Sequence, residues 1–148
     1  MQAGTLQTIL IVEDSDDDFL ATMRAFRKAN LLNPIQRCSN GDQALDYLYR
    51  RGEFTPDNAP RPGLILLDLN LPGMDGRDVL SLVKSDPGVR KIPVVVLTTS
   101  DAEQDIHRCY DAGANSYVKK PVDMVGFVEA IARLKEYWLG VAVLPKES

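Results

Sequence analysis

Residues 64–76 read LILLDLNLPGMDG. Four apolar residues, Leu64 to Leu67, run straight into Asp68, and a proline–glycine turn follows before Asp75, a residue well suited to opening a helix. An almost continuously apolar run of this length predicts a central parallel strand buried on both faces. The segment therefore reads as strand, loop, helix, with a carboxylate at the strand's carboxyl end.

The same grammar repeats on either side. Ile9 to Val12 and Pro93 to Leu97 are further apolar runs, Ser116 to Val118 is a weaker one, and Pro34 to Cys38 is more polar, as an edge strand would be. Between them lie helical spacings. Phe19, Leu20, Met23 and Phe26 follow Ser15, an N-cap with Asp18 three positions on. Ala44, Leu45 and Leu48 mark a helix beginning near Asp42; Val79, Leu80 and Val83 one opened by Asp75 and stopped before Pro87. Ile106, Cys109 and Tyr110 mark a fourth, closed by Gly113. Met124, Phe127, Val128, Ile131, Leu134 and Trp138 trace a fifth, expected to be the longest. Five strands alternating with five helices predict an α/β domain whose parallel sheet is covered on both sides. In such folds the active crevice lies beyond the carboxyl ends of the strands, near the switch point.

Composition agrees with one folded domain. The chain has 148 residues, 45% hydrophobic and 26% charged, with a net charge of −4. That charge argues against a broad nucleic-acid footprint, which needs Lys and Arg gathered on one face. Two cysteines, Cys38 and Cys109, without a CxxC pair, and a single histidine, His107, argue against zinc; all three read as ordinary structural residues. The start, MQAGTLQTILIVED, lacks the basic, then long apolar, pattern of a signal peptide, and no run approaches a membrane span. A cytoplasmic location is the expectation, with neither nucleic acid nor membrane as partner.

The strand ends collect chemistry. The first strand runs into Glu13 and Asp14, the third ends at Asp68, the fourth at Thr98, and the fifth at Lys119, Lys120 and Pro121. Carboxylates brought this close raise one another's pKa unless a cation joins them. Oxygen ligands of this kind suit a hard divalent ion such as Mg²⁺. A carboxylate nucleophile beside a metal and a lysine points to phosphoryl transfer, which needs mainly positioning and charge neutralisation. The bland alternatives are an acidic cluster at a helix N-terminus for Glu13 and Asp14, a turn residue for Asp68, and a buried strand threonine for Thr98.

At these residues the sequence resembles the receiver domains of two-component response regulators. The matching segments are ILIVEDSDDD, LILLDLNLPGMDG, VVVLTTS and SYVKKP, in the family's order and spacing. The resemblance implies a flavodoxin-like (CheY-like), doubly wound five-stranded sheet of order 2-1-3-4-5. It implies Asp68 as the phosphoacceptor and Glu13 and Asp14 as the acidic pair for Mg²⁺, with Asp68 itself and the Asn70 backbone carbonyl completing the protein ligands. Thr98 would bind a phosphoryl oxygen, Lys120 would ion-pair with the phosphoryl group, and Tyr117 would be the switch aromatic, unless it is a static residue of the fifth strand. Lys120 is preferred to Lys119 because strand alternation points one of them at the site and the family's lysine directly precedes proline. The Lys120–Pro121 bond is expected to be cis.

Glu13 stands where an Asp is more common, and Thr99 is larger than the usual Ala or Gly. Ser100 stands where some fast-dephosphorylating relatives carry an acid, so phosphate loss is expected over minutes or longer. Two further features resemble the phytochrome-associated, Rcp-type regulators of cyanobacteria and their relatives: the loop RRGEFTPDNAPRPG and a chain ending in EYWLGVAVLP. Residues 1–138 are read as the receiver domain and 139–148 as an extension. Trp138, at the border, with Leu139, Val141, Val143 and Leu144 of the extension would form an exposed apolar patch on a monomer, read as a homodimer contact, the alternative being a tail folded back on its own domain. The expected function is thus a single-domain, non-enzymatic response regulator, phosphorylated by a sensor histidine kinase of phytochrome type and signalling through an unspecified protein partner. Competing readings are a dimeric scaffold that is never phosphorylated and an aspartyl-nucleophile hydrolase. The second lacks an acid two positions after Asp68, where Asn70 stands.

Overall fold

A computed structural model describes residues 6–120 and 123–141 of the chain, with side chains as far as residue 138. Strands and helices alternate from β1 (Thr8–Val12) and α1 (Asp16–Lys28) through β2 (Ile35–Cys38), α2 (Gly41–Tyr49), β3 (Pro62–Leu67) and α3 (Gly76–Ser85). They continue through β4 (Val94–Thr98), α4 (Glu103–Asp111) and β5 (Ser116–Lys119) to α5 (Met124–Leu134), which runs on as a π-helix over Lys135–Val141. The sheet is parallel throughout, in the order β2-β1-β3-β4-β5. This is the expected architecture and strand order.

Residue type explains the layering. Along the three central strands alternate side chains go to opposite faces. Leu10, Val12, Ile65, Leu67, Val94 and Val96 enter one core with Ala44, Leu45, Val79, Leu80, Val83 and Cys109 from α2, α3 and α4. Ile9, Ile11, Leu64, Leu66, Val95 and Leu97 enter the other with Ala25 and Phe26 of α1 and Phe127 and Ile131 of α5. A strand buried on both faces has no room for polar residues until it ends, so the polar groups gather at its tip.

The helix boundaries follow local chemistry. Ser15, Asn40, Asp75 and Asp123 accept hydrogen bonds from the first turns of α1, α2, α3 and α5. Asp86, before Pro87, closes α3, and Gly113 leaves α4 at φ +106°, a conformation glycine adopts without strain. The last helix changes type along its length. Its α-helical part is 11 residues, shorter than the 13 of α1, and its continuation is π-helical over 7. Within that continuation Lys135 Nζ donates to the carbonyls of Ala29 and Asn30, tying it to the end of α1. Trp138 is partly buried against the α1–α5 core, with the Tyr137 ring edge-on to it at 5.0 Å.

Candidate phosphoacceptor site

Parallel register brings the strand tips level. Val12 pairs with Leu67, and Leu67 with Val96, so the residues just beyond them, Glu13 and Asp68, meet beside Thr98. Glu13, Asp68, Thr98 and Lys120 are all buried, each exposing 7% or less of its surface, whereas Asp14 and Asn70 face solvent. One carboxylate oxygen from each of Glu13, Asp14 and Asp68 lies within 4.8 Å of the others. Hard oxygen donors converging in this way, two from buried carboxylates and one from the rim, fit a divalent cation approached from solvent.

A buried ammonium holds the centre. Lys120 Nζ donates to Glu13 Oε1 at 2.6 Å, Asp18 Oδ2 at 2.9 Å and Asp68 Oδ2 at 3.1 Å, using all three of its protons. The other oxygen of Asp68 accepts the Asn70 N–H at 3.1 Å. Lys119 points away and pairs with Asp101 at 2.9 Å on the surface, as strand alternation requires. Burial works against the Lys120 ammonium, but the hydrogen bonds it donates to Glu13 and Asp18 outweigh that and hold its pKa above the usual lysine range. Burial pushes the Glu13 carboxyl up to about 7, opposed by the Lys120 hydrogen bond and reinforced by the charge of Asp68. A buried carboxylate pair sharing one ammonium is short of positive charge, which is a further reason a cation fits.

Around the centre the loops are pinned. Arg37, at the tip of β2, donates through Nε to the Glu13 carbonyl at 3.1 Å, pairs with Asp16 at 2.8 Å, and lies over the Phe19 ring at 4.7 Å. Gly76 opens α3 where a Cβ would run into the Asp68 carbonyl and would sit 2.6 Å from Leu69 Cα, so only glycine lets the helix start this close to the strand tip. The Thr98 oxygen receives the Ser100 N–H at 3.5 Å, and Tyr117 OH donates to the Ser100 carbonyl at 2.8 Å, so the tyrosine ring is turned onto the β4–α4 loop.

The structure thus brings together Glu13, Asp14, Asp68, Asn70, Thr98 and Lys120, with Tyr117 one loop away. Pro121, and with it the Lys120–Pro121 bond, lies outside the described residues, as do Val143 and Leu144; Leu139 and Val141 are described in backbone only. Sequence reasoning assigned Asp18 only to a helix cap, yet its carboxylate is the third partner of Lys120. Arg77 and Asp105 were not singled out at all. They form a two-pronged pair, Nε to Oδ1 and Nη2 to Oδ2, both 2.7 Å. Their 28-residue separation leaves no signal in one sequence.

Comparison with known proteins agrees with this geometry. The family model for the response regulator receiver domain matches residues 9–132. Rcp1, a response regulator of Synechocystis, is 37% identical over 94% of this chain and 93% of its own. Its Mn(2+)-bound crystal structure superposes with a TM-score of 0.86, at 36% identity, over 95% of this chain and 99% of that one. The phosphorylated cyanobacterial phytochrome response regulator RcpA gives 0.89 at 39% identity, over 96% and 100% of the two chains. RPA3017, a response regulator in red light signalling of R. palustris, gives 0.90 at 39% identity, over 95% and 99%.

Proposed function

The chain belongs to the response regulator receiver domain family, and from that premise we propose that it is a phosphoacceptor switch in which Asp68 takes a phosphoryl group from a sensor histidine kinase. The observation that carries this is the state of Asp68. Its carboxylate is buried at a strand tip, with one oxygen fixed by a backbone N–H, the other by Lys120, and Glu13 and Asp14 alongside. A carboxylate so oriented is a positioned nucleophile rather than a structural acid.

In the transfer, an Asp68 oxygen attacks the phosphorus of a phosphohistidine in line, the new O–P bond forms as the P–N bond breaks, and the imidazole leaves with its electron pair. Lys120 exchanges its contact with Asp68 for one with a phosphoryl oxygen, and Asp18 and Glu13 keep its ammonium in place meanwhile. The Thr98 hydroxyl donates to a second phosphoryl oxygen. Glu13, Asp14, Asp68 and the Asn70 carbonyl would hold Mg²⁺, which would neutralise the charge crowded between carboxylates and phosphoryl group. Tyr117, through the Ser100 carbonyl, reports the position of the Thr98 loop to the face formed by α4, β5 and α5.

The partners follow from the relatives. RcpA is a phytochrome response regulator and RPA3017 works in red light signalling, so we assign the kinase to the phytochrome type. We further assign the extension, residues 139–148, to self-association. The test is transfer of radiolabel from a phosphorylated phytochrome-type kinase. The label is expected to move to this chain, to be released by hydroxylamine as an acyl phosphate is, and to be absent from Asp68→Asn. Label that persists in Asp68→Asn would overturn the assignment.

A further inference from the structure

The Arg77–Asp105 pair is partly buried and has no part in the chemistry just described, yet it links two loops that do. Arg77 begins α3, one residue beyond the glycine packed on Asp68; Asp105 lies in the first turn of α4. Both guanidinium prongs meet the carboxylate at 2.7 Å, and Arg77 Nη1 also holds Asp75, the N-cap of α3, at 3.0 Å. The side chains expose 16% and 19% of their surface. This is the bidentate, poorly hydrated form of ion pair, which carries both strength and direction.

Asp105 has a second task. Its Oδ2 accepts the Ser100 hydroxyl at 2.7 Å, and Ser100 in turn presents its carbonyl to Tyr117 OH and its N–H to Thr98. Arg77 therefore reaches the Tyr117 ring through three short hydrogen bonds and one residue of backbone. The Tyr117 N–H also donates to Tyr110 OH of α4 at 3.1 Å, a second tie between that strand and that helix. The Arg108–Asp78 pair parallels Arg77–Asp105 between α4 and α3, but at 3.9 Å and well exposed it adds little.

We propose that Arg77 and Asp105 are positioning residues for the switch: their pair fixes Ser100 so that the Tyr117 ring is held against the β4–α4 loop before any phosphoryl group arrives. This rests on the reading of Asp68 as phosphoacceptor and adds to it how the switch is set. A loop already arranged for Thr98 to meet the phosphoryl group spares the transfer the cost of rearrangement. Breaking the pair leaves the competent arrangement as a minor population and slows phosphorylation by that fraction.

The test places 3-fluorotyrosine at position 117 of the full chain and follows its ¹⁹F resonance before and after acetyl phosphate with Mg²⁺. In the otherwise native protein the resonance is expected in a buried environment and to move little on phosphorylation. In Asp105→Asn it is expected to shift toward the solvent value before phosphorylation and back after it, with autophosphorylation slowed about threefold or more, the size of coupling seen within connected networks. Ser100→Ala, which cuts only the hydroxyl link, keeps the test open should the charge change unfold the domain, and is expected to shift the resonance in the same direction. Native resonance and native rate in both folded variants would overturn the proposal, as would a solvent-like Tyr117 in the native protein. A ring freed by Asp105→Asn in a protein that takes no phosphoryl group would support the positioning and sink the phosphoacceptor reading.

Discussion

Two lysines end the fifth strand, and a single rule separates them. Alternation places Lys120 among Glu13, Asp18 and Asp68 and sends Lys119 to the surface, so the choice was legible from strand geometry. Asp68 was legible too, because an acid at the end of a buried apolar run has nowhere to be but the strand tip. Asp18 was not: three consecutive acids open α1, and only packing decides that one of them turns toward Lys120. The Arg77–Asp105 pair was invisible for a similar reason, being made by two helices that meet only in three dimensions. That pair has a pH signature. The hydrogen bond from Arg77, then that from Ser100, hold the Asp105 carboxyl at about 2 against an ordinary value of 3.8. Its ionised form therefore stabilises the fold fully above 3.8, and that stabilisation is lost as pH falls from there through 2. Urea titrations from about pH 5 down to about pH 2 should show a shallower acid decline for Asp105→Asn than for the native chain. Parallel declines would mean that the pair contributes nothing to folding.

At the level of elements, hydrophobic period did most of the work. All five strands and five helices stand where the apolar runs and helical stripes put them, and the caps at Ser15 and Asp75 hold the expected positions. The stripes were less informative about burial. Leu20 and Tyr110 are 56% and 49% exposed, because helices laid on one face of a sheet bury a narrower stripe than their apolar content suggests. The π-helical end of the last helix had no local marker; it coincides with the Lys135 bonds to the end of α1, a tertiary contact. Gly76 is the tightest join between element and site. Gly76→Ala should destabilise the domain by about 2 kcal/mol or more, since the added methyl meets backbone that cannot yield, and it should slow phosphorylation by displacing the Asp68 loop. Unchanged urea midpoints would show that the α3 N-terminus is looser than its packing implies.

For the whole molecule, the division of labour follows from topology. Two cores hold a five-stranded sheet between them, and the polar groups excluded from them converge at one edge, so the proposed chemistry at the tips and the proposed switch in the β4–α4 loop sit on a firm base. Among the described residues no helix is long and apolar enough to cross a membrane, and the proposed output is a protein surface. Trp138 is already partly buried on its own domain, which leaves the residues after it to make the proposed contact between copies. A chain ending at Trp138 should sediment as a monomer where the full chain forms a dimer; a dimer in both would move the interface elsewhere. Whether Asp68 accepts phosphate is decided by intact mass after incubation with acetyl phosphate, with and without Mg²⁺, on the native chain and Asp68→Asn. The expected result is a gain of one phosphoryl group that requires Mg²⁺ and Asp68 together. A native chain that gains no mass under these conditions, or an Asp68→Asn chain that gains the same adduct, would contradict it.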